Sequence, residues 1–319
     1  MQVTHGTLPA AAARRPATAP RHAVTIGNFD GVHLGHQAML SRLKSEASAL
    51  GVPACVLTFE PHPREYFSPQ SAPARLTRLA AKLAVLRDAG IDRVHVARFD
   101  ARLSSLSPER FIDEVLRQGL GCAWLLVGGD FRFGSKRAGD FDLLAASGRR
   151  HGFGVEAMPE VRHAGVRISS SGVRAALQSG DLGAASAMLG RDYSIAGRVV
   201  HGEKMGRTLG FPTANLPLPH APALAGIFVV EVLGVPGKAA PWPAVASLGL
   251  RPTVNALQSP LLEVHLLDYA GELYGRRIEV RFLAKLRDEE KYGDLETLKA
   301  AIARDAADAR SFFAVRTHG

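Results

Sequence analysis

Two imidazoles separated only by Leu34 and Gly35 are the first residues along the chain whose spacing suggests chemistry. They close the string Gly27-Asn28-Phe29-Asp30-Gly31-Val32-His33-Leu34-Gly35-His36, which leaves an apolar run and enters a helical pattern. A loop running into a helix start offers backbone N–H groups to an anion, and a residue as small as Gly35 lets that anion come close. His33 and His36 can donate to phosphate oxygens as charge develops on them during a transfer reaction. The helical His-Glu-x-x-His arrangement of a zinc site is absent from this string. On these residues alone an ordinary polar loop or another metal site stays open.

Further strings carry polar groups in usable patterns. Phe59-Glu60-Pro61-His62-Pro63 ends a second apolar run and holds His62, a binding candidate, between two prolines. Gly128 to Gly139 is a glycine-rich loop whose Asp130, Arg132, Lys136 and Arg137 offer both signs of charge to metal and phosphate. It is not a Gly-x-x-x-x-Gly-Lys-Ser/Thr phosphate loop. Ser169, Ser170 and Arg174 combine hydroxyls with a guanidinium at a helix start, suited both to capping and to holding anionic oxygen.

In the second half, Gly206-Arg207-Thr208-Leu209-Gly210-Phe211-Pro212-Thr213-Ala214-Asn215 places Thr213 and Asn215 two residues apart. On an extended backbone they share a side, and their oxygens suit a hard cation such as Mg²⁺. Glu263 alternates with Leu262, Val264 and Leu266, which by itself reads as an exposed carboxylate on a half-buried strand. Arg287 precedes a run of charges at Asp288 to Lys291 that reads as a solvated face, and Arg287 itself suits either a salt bridge or an anionic ligand. No Gly-x-Ser-x-Gly elbow supports a serine hydrolase.

The elements that must position these groups fall into two kinds. From His22 to about Leu189 strand-like and helical segments alternate: strands at His22–Phe29, Ala54–Phe59, Arg93–Phe99, Trp124–Val127 and Phe153–Ala157 are separated by helical patterns. Such alternation favours a parallel α/β sheet. Ser107 and Pro108 read as cap and first residue of a helix over Phe111–Gln118. From Tyr193 onward, short strands at Ile195–His201, Ile227–Leu233, Val245–Leu250, Leu261–Leu267 and Arg277–Phe282, punctuated by Gly and Pro, predict a compact β-barrel. Leu295, Leu298, Ile302 and Ala306 form an apolar stripe on a final helix capped by Asp294. The stretch Ala10–Ala19, interrupted by Pro16, reads as loop.

Composition narrows the class. A chain of 319 residues with 46% hydrophobic and 22% charged residues predicts a globular protein of two domains, not a disordered one. Apolar runs such as Ala225–Val230 stop far short of the roughly 20 residues a bilayer crossing needs, so no membrane partner is expected. Arg14 and Arg15 interrupt the early run Leu8–Ala13 where a secretory signal would continue. Cys55 and Cys122 are too few for a disulfide framework or a four-thiolate zinc site, and a cytoplasmic protein with two buried thiols is expected. Lys and Arg total 39 against 30 Asp and Glu, a formal charge of +9 that attracts polyanions. No basic and aromatic stripe accompanies it, so phosphate-bearing small molecules are the expected ligands and nucleic acid is not.

Taken in order, these strings resemble bacterial bifunctional riboflavin kinase/FAD synthetases. Gly27 to Gln37, Leu57 to Pro63, Val127 to Gly134 and Ile168 to Arg174 resemble the adenylyl-transfer domain, of the His-x-Gly-His nucleotidyltransferase superfamily. Gly206 to Asn215, Leu248 to Thr253, Leu262 to Asp268 and Leu273 to Gly275 resemble the riboflavin kinase domain. Where the family commonly has Thr, this chain has Ser171 followed by Gly172.

The resemblance implies an α/β nucleotidyltransferase domain over 1–190 with a parallel Rossmann-like sheet, a kinase β-barrel with a C-terminal helix over 191–311, and a tail at 312–319. It implies that riboflavin and ATP give FMN and ADP, and that FMN and ATP then give FAD and pyrophosphate, with Mg²⁺. His33 and His36 would contact ATP phosphates, and Asn28 would help hold nucleotide and metal. Gly27, Phe29, Asp30, His62, Asp130, Phe131, Arg132, Ser169, Ser170 and Arg174 would line the nucleotide and flavin pocket. Glu263 would be the kinase's general base, Thr213 and Asn215 its metal-holding pair, and Gly206, Arg207, Gly210 and Arg287 part of its ligand pocket. The alternatives are a related nucleotidyltransferase acting on another metabolite and an inactive flavin- or nucleotide-binding regulator. Oligomeric state is not legible.

Overall fold

A computed structural model describes residues 1–7, 20–202, 206, 209–252 and 258–317. Arg207, Thr208, Thr253 and the Ala10–Ala19 stretch lie outside the described residues. The chain divides into two compact units, Met1–Pro73 with Thr77–Ser169, and Ala74–Leu76 with Ser170–Gly319.

The first unit is built on six parallel strands: β1 (Gln2–Gly6), β2 (His22–Ile26), β3 (Ala54–Glu60), β4 (Arg93–Arg98), β5 (Cys122–Gly128) and β6 (Gly154–Met158). They lie in the order β1-β4-β3-β2-β5-β6. Parallel strands covered on both faces need near-continuous apolar sequence, and His-Ala-Val-Thr-Ile of β2 is buried at every position. Connections are made by helices α1 (Leu34–Leu50), α2 (Pro63–Phe67), α3 (Leu79–Asp88), α4 (Ala101–Ser104), α5 (Pro108–Arg110) and α6 (Phe141–His151), with a hairpin of β7 (Arg162–His163) and β8 (Val166–Arg167) after β6.

The chain moves outward from β2 through β3 to β4, then returns to place β5 on the other side of β2. That reversal opens a crevice at the carboxyl ends of β2 and β5, where open α/β sheets bind ligands. The loops that leave these two strands begin at Gly27 and Gly129, inside the two glycine-bearing strings.

Two local expectations change. The segment after α5 is wound as a π-helix over Phe111–Gly119; its buried face includes Phe111, Ile112, Val115 and Leu116. Glu114 on that face is buried and meets Arg110 at 2.8 Å. β1 has no counterpart among the expected strands; it is a five-residue edge strand that pairs only with β4. Cys55 and Cys122 are buried free thiols, each pushed up to about 12 by desolvation.

The second unit opens with α7 (Ser170–Gln178) and α8 (Leu182–Leu189). Val173, Leu177, Leu182, Ala185 and Leu189 share one apolar core with Phe228 and Phe282 of the barrel. The compact units therefore divide between Ser169 and Ser170, because the apolar faces of these helices are buried against the barrel's core.

Strands β9 (Ser194–Arg198), β10 (Ala214–Pro217), β11 (Gly226–Leu233), β12 (Trp242–Pro252), β13 (Gln258–Leu266) and β14 (Arg277–Arg287) form an antiparallel sheet ordered β10-β13-β12-β11-β14-β9. Its ends meet where the Val200 N–H donates to the Asn215 carbonyl at 2.9 Å, which makes the sheet a near-barrel. The outer face at Ile227, Val229 and Val245 packs on Ala306 and Ala309 of α9 (Leu295–Thr317). Asp294 caps that helix, accepting from the Thr297 N–H at 2.7 Å.

Candidate active sites

The first unit positions its histidines through the start of α1. His33 is the N-cap, and its Nδ1 accepts from the His36 N–H at 3.3 Å. With Nδ1 accepting, Nε2 carries the ring's proton and is its donor atom. The two rings stack with centroids 3.7 Å apart and planes 14° from parallel, and Phe29 lies 4.9 Å from His36. A Cβ at Gly35 would lie 3.2 Å from the His33 ring, so the glycine clears the space this ring occupies.

His36 Nδ1 is buried without a hydrogen-bond partner. Desolvation, then the neighbouring His33, then Lys82 hold His36 well below its ordinary value near 6.5. The pair is thus a pre-stacked imidazole surface at a helix N-terminus.

The turn before it is pinned from several sides. The Asn28 carbonyl accepts from Lys82 Nζ at 2.6 Å and from Thr58 Oγ1 at 3.2 Å. Asp30, 4% exposed, accepts from the Thr77 N–H at 3.0 Å and Thr77 Oγ1 at 3.2 Å, and Thr77 Oγ1 in turn accepts from the Gly31 N–H. Asp30 is therefore engaged as the latch of the turn. Lys82, Thr77 and Thr58 were not singled out by sequence; the available signal was a lone lysine in the apolar helix Leu79–Asp88.

The other expected residues of this unit fall at the carboxyl ends of strands. His62 follows β3 and caps α2: its Nδ1 accepts from the Arg64 N–H at 3.1 Å while Glu65 accepts from the His62 N–H. After β5, Asp130 pairs with Arg167 at 2.8 Å, Arg132 pairs with Asp140 at 3.0 Å, and Phe131 stacks on Phe133. Arg167, on β8, is a further residue that sequence reasoning passed over. Ile168 O lies 3.7 Å from where a Cβ at Gly35 would stand, which sets the chain before Ser169 beside the start of α1. Ser170 and Arg174 belong to α7 of the second unit, where Arg174 Nε donates to the Ala74 carbonyl at 2.6 Å.

In the second unit Thr213 borders two clefts. One, of about 610 Å³ with open solvent included, is lined by Gly202, Asn215, Leu266, Tyr269 and Tyr274 among others. The second, of about 1000 Å³ on the same measure, includes Glu263, His265, Arg287 and Glu289 of the barrel side and Ile302 and Asp305 of α9. Strand register makes the arrangement: Asn215 of β10 lies opposite Glu263 of β13, and Ser247 of β12 lies opposite Glu263 on its other side. Gly202 leaves room for Asn215, since a Cβ there would collide with the carboxamide nitrogen.

His265 Nδ1 meets the Pro212 carbonyl at 2.9 Å, and because a carbonyl only accepts, this nitrogen carries the proton. Arg287 is held by Asp305 through two contacts of 2.8 and 2.7 Å, so β14 is tied to α9 beside the larger cleft. The Phe211 N–H donates to the Gly206 carbonyl at 2.7 Å, and Gly210 sits at φ +88° in the turn between them.

Among the described residues no cluster of three or more His, Cys, Asp or Glu is placed to hold a metal. Thr213 and Asn215 can supply side-chain oxygens, and Asn215 lies opposite Glu263 across the strand pair. Such a sparse oxygen set fits an ion that keeps waters and takes substrate phosphates as its remaining ligands, as Mg²⁺ does.

A parallel sheet with a stacked histidine pair at its switch point, followed by an antiparallel near-barrel with a hydroxyl between two clefts and a carboxylate on the larger, has the arrangement of a two-domain nucleotide-dependent transferase. The family model described as FAD synthetase matches residues 15–172, and that described as riboflavin kinase matches residues 189–313. The bifunctional riboflavin kinase/FMN adenylyltransferase of Pseudomonas fluorescens is 50% identical over 295 residues, 92% of this chain and 94% of that protein. The protein of the same description from Escherichia coli strain K12 is 48% identical over 291 residues, 91% of this chain and 92% of that one. A solved structure described as a macrolide-efflux protein from Streptococcus pneumoniae has a TM-score of 0.78 at 25% identity, over 97% of this chain and 99% of that one. The chain belongs to the family of bifunctional riboflavin kinase/FMN adenylyltransferases. Among the described residues no helix is long and apolar enough to cross a membrane.

Proposed function

We propose that the second unit phosphorylates riboflavin to FMN and that the first adenylylates FMN to FAD. The observation that carries the kinase assignment is the place of Thr213 between two clefts, with Glu263 on one and Asn215 on the other. ATP occupies the smaller cleft and riboflavin the larger, so the γ-phosphorus and the terminal ribityl hydroxyl meet beside Thr213. Glu263 takes the hydroxyl proton as the oxygen bonds to the γ-phosphorus and the bond to ADP breaks. Thr213 and Asn215 would hold Mg²⁺, which would supply positive charge to neutralise the phosphates. Gly206 and Gly210 border the phosphates, and Arg287, anchored by Asp305, shapes the flavin side.

In the first unit an FMN phosphate oxygen attacks the α-phosphorus of ATP, and the electron pair of the breaking bond leaves with pyrophosphate. His33 and His36 donate to phosphate oxygens from the helix N-terminus, and no covalent protein nucleophile is required. Gly27, Asn28, Phe29 and Asp30 shape the turn that holds the nucleotide. His62, Asp130, Phe131, Arg132 and Ser169 serve the flavin and nucleotide pocket, His62 and Asp130 by way of the contacts they already make. The protein acts on small-molecule flavins in the cytoplasm.

A chromatographic time course with riboflavin, ATP and Mg²⁺, resolving riboflavin, FMN and FAD, tests both assignments. FMN rising first and FAD following is the expected result. FMN without FAD would sink the adenylyl-transfer assignment, and no product from riboflavin would sink the kinase assignment.

A further inference from the structure

Lys82 is 5% exposed in a helix otherwise packed through Leu79, Leu83 and Leu86. Lysine is almost never buried unless its charge is used. Its ammonium group donates to the Asn28 carbonyl at 2.6 Å, and Thr58 Oγ1 supplies the second donor to the same oxygen. Directly after Asn28 the backbone is unusual: Phe29 has φ +48° and Val32 has φ +40°, both in the left-handed region that side chains other than glycine resist. A turn of this kind persists only when its surroundings hold it. The chain segment at the start of α3 does so at two points, Thr77 on Asp30 and Lys82 on Asn28. The turn leads straight into the His33 cap, so the direction of both imidazoles depends on it. The positive charge of Lys82 also acts on His36.

We infer that Lys82 is a positioning residue for adenylyl transfer: its ammonium group fixes the turn that aims His33 and His36, and its charge adds to the phosphate side of the pocket. The inference rests on the assignment of adenylyl transfer to the first unit. It concerns a residue outside both histidine and glycine-rich strings, and it gives the buried lysine a role in turnover beyond packing.

The test compares the full-length chain with K82M, K82R and T58V, measuring kcat and KM for ATP in FMN adenylylation. Riboflavin phosphorylation by the same preparations reports on the second unit, and the thermal transition reports on folding. K82M is expected to lose about 100-fold in kcat/KM for adenylylation, the scale of one lost charge-stabilising donor. Its kinase rate should stay within about twofold of the parent. K82R, which keeps the charge, should stay within about tenfold. T58V, which removes only a neutral donor, should lose less than about fivefold.

A folded K82M that adenylylates FMN as the parent does, or one no worse than T58V, overturns the inference. Failure of the parent chain to make FAD from FMN would instead remove the adenylyl-transfer assignment itself. Should K82M not fold, K82Q takes its place with the same expected loss. If neither uncharged variant folds, Lys82 is a folding residue and the inference falls.

Discussion

Replacing Glu263 by Gln keeps the side chain's shape and removes the carboxylate that lines the larger cleft. FMN formation should fall by roughly 100-fold or more, the scale of general-base catalysis, while added FMN is still converted to FAD; separate half-reaction assays measure both. His36 yields a second expectation with a definite sign. Its pKa is lowered in the folded chain by burial, His33 and Lys82, so below about 6.5 the unfolded state takes up a proton that the folded state refuses. The stability it contributes is fully present above that pH and declines as pH falls, and His95, also lowered by burial, acts in the same direction. Thermal transitions recorded between pH 8 and pH 5 should drop less steeply in His36→Gln than in the parent. At this scale the sequence marked His33, His36, Thr213 and Glu263 as candidates, by spacing and resemblance. Their partners were not marked, because Lys82 and Thr77 reach Asn28 and Asp30 across about 50 residues of chain, and no local pattern encodes a contact of that separation.

The tie between β14 and α9 belongs to the scale of elements. Asp305, buried at 7% side-chain exposure, holds Arg287 with both carboxylate oxygens, and truncating it leaves a guanidinium at 24% exposure without that partner. Asp305→Ala should cost roughly 1–3 kcal/mol, below the full penalty of a wholly buried pair because water reaches Arg287. It should also raise KM for riboflavin more than KM for ATP, measured in the kinase assay. The alternation of strands and helices and the change to short strands after Tyr193 were readable because their hydrophobic periods differ. β10 was not: four residues ending in Pro217 give no period, and its place is set by pairing with β13. The assignment of α7 and α8 to the second unit was equally hidden, since an amphipathic face does not announce which core it will enter.

Two reactions that share FMN make the whole molecule testable by mixing. E263Q supplies only adenylyl transfer and His36→Ala only kinase activity, so a mixture of the two should carry riboflavin to FAD after a lag that shortens as more protein is added. FMN passing through solvent predicts this; FMN without FAD from two half-active partners would contradict it. A formal charge of +9 in a chain whose ligands are all phosphorylated or become so should also make KM for ATP rise with ionic strength, measurable in either half-reaction.

The near-barrel's ends are joined by the Val200–Asn215 backbone bond, an isolated bridge among the described residues, and Asn215 lines the smaller cleft. With ATP placed there as proposed, that bond is a seam beside the nucleotide. A seam of one rung opens more readily than the long ladders elsewhere in the sheet, so the Val200 amide should exchange with deuterium early in the free protein and slowly once ADP fills the cleft. The exchange rate of one backbone proton would then report occupancy of the kinase without any turnover.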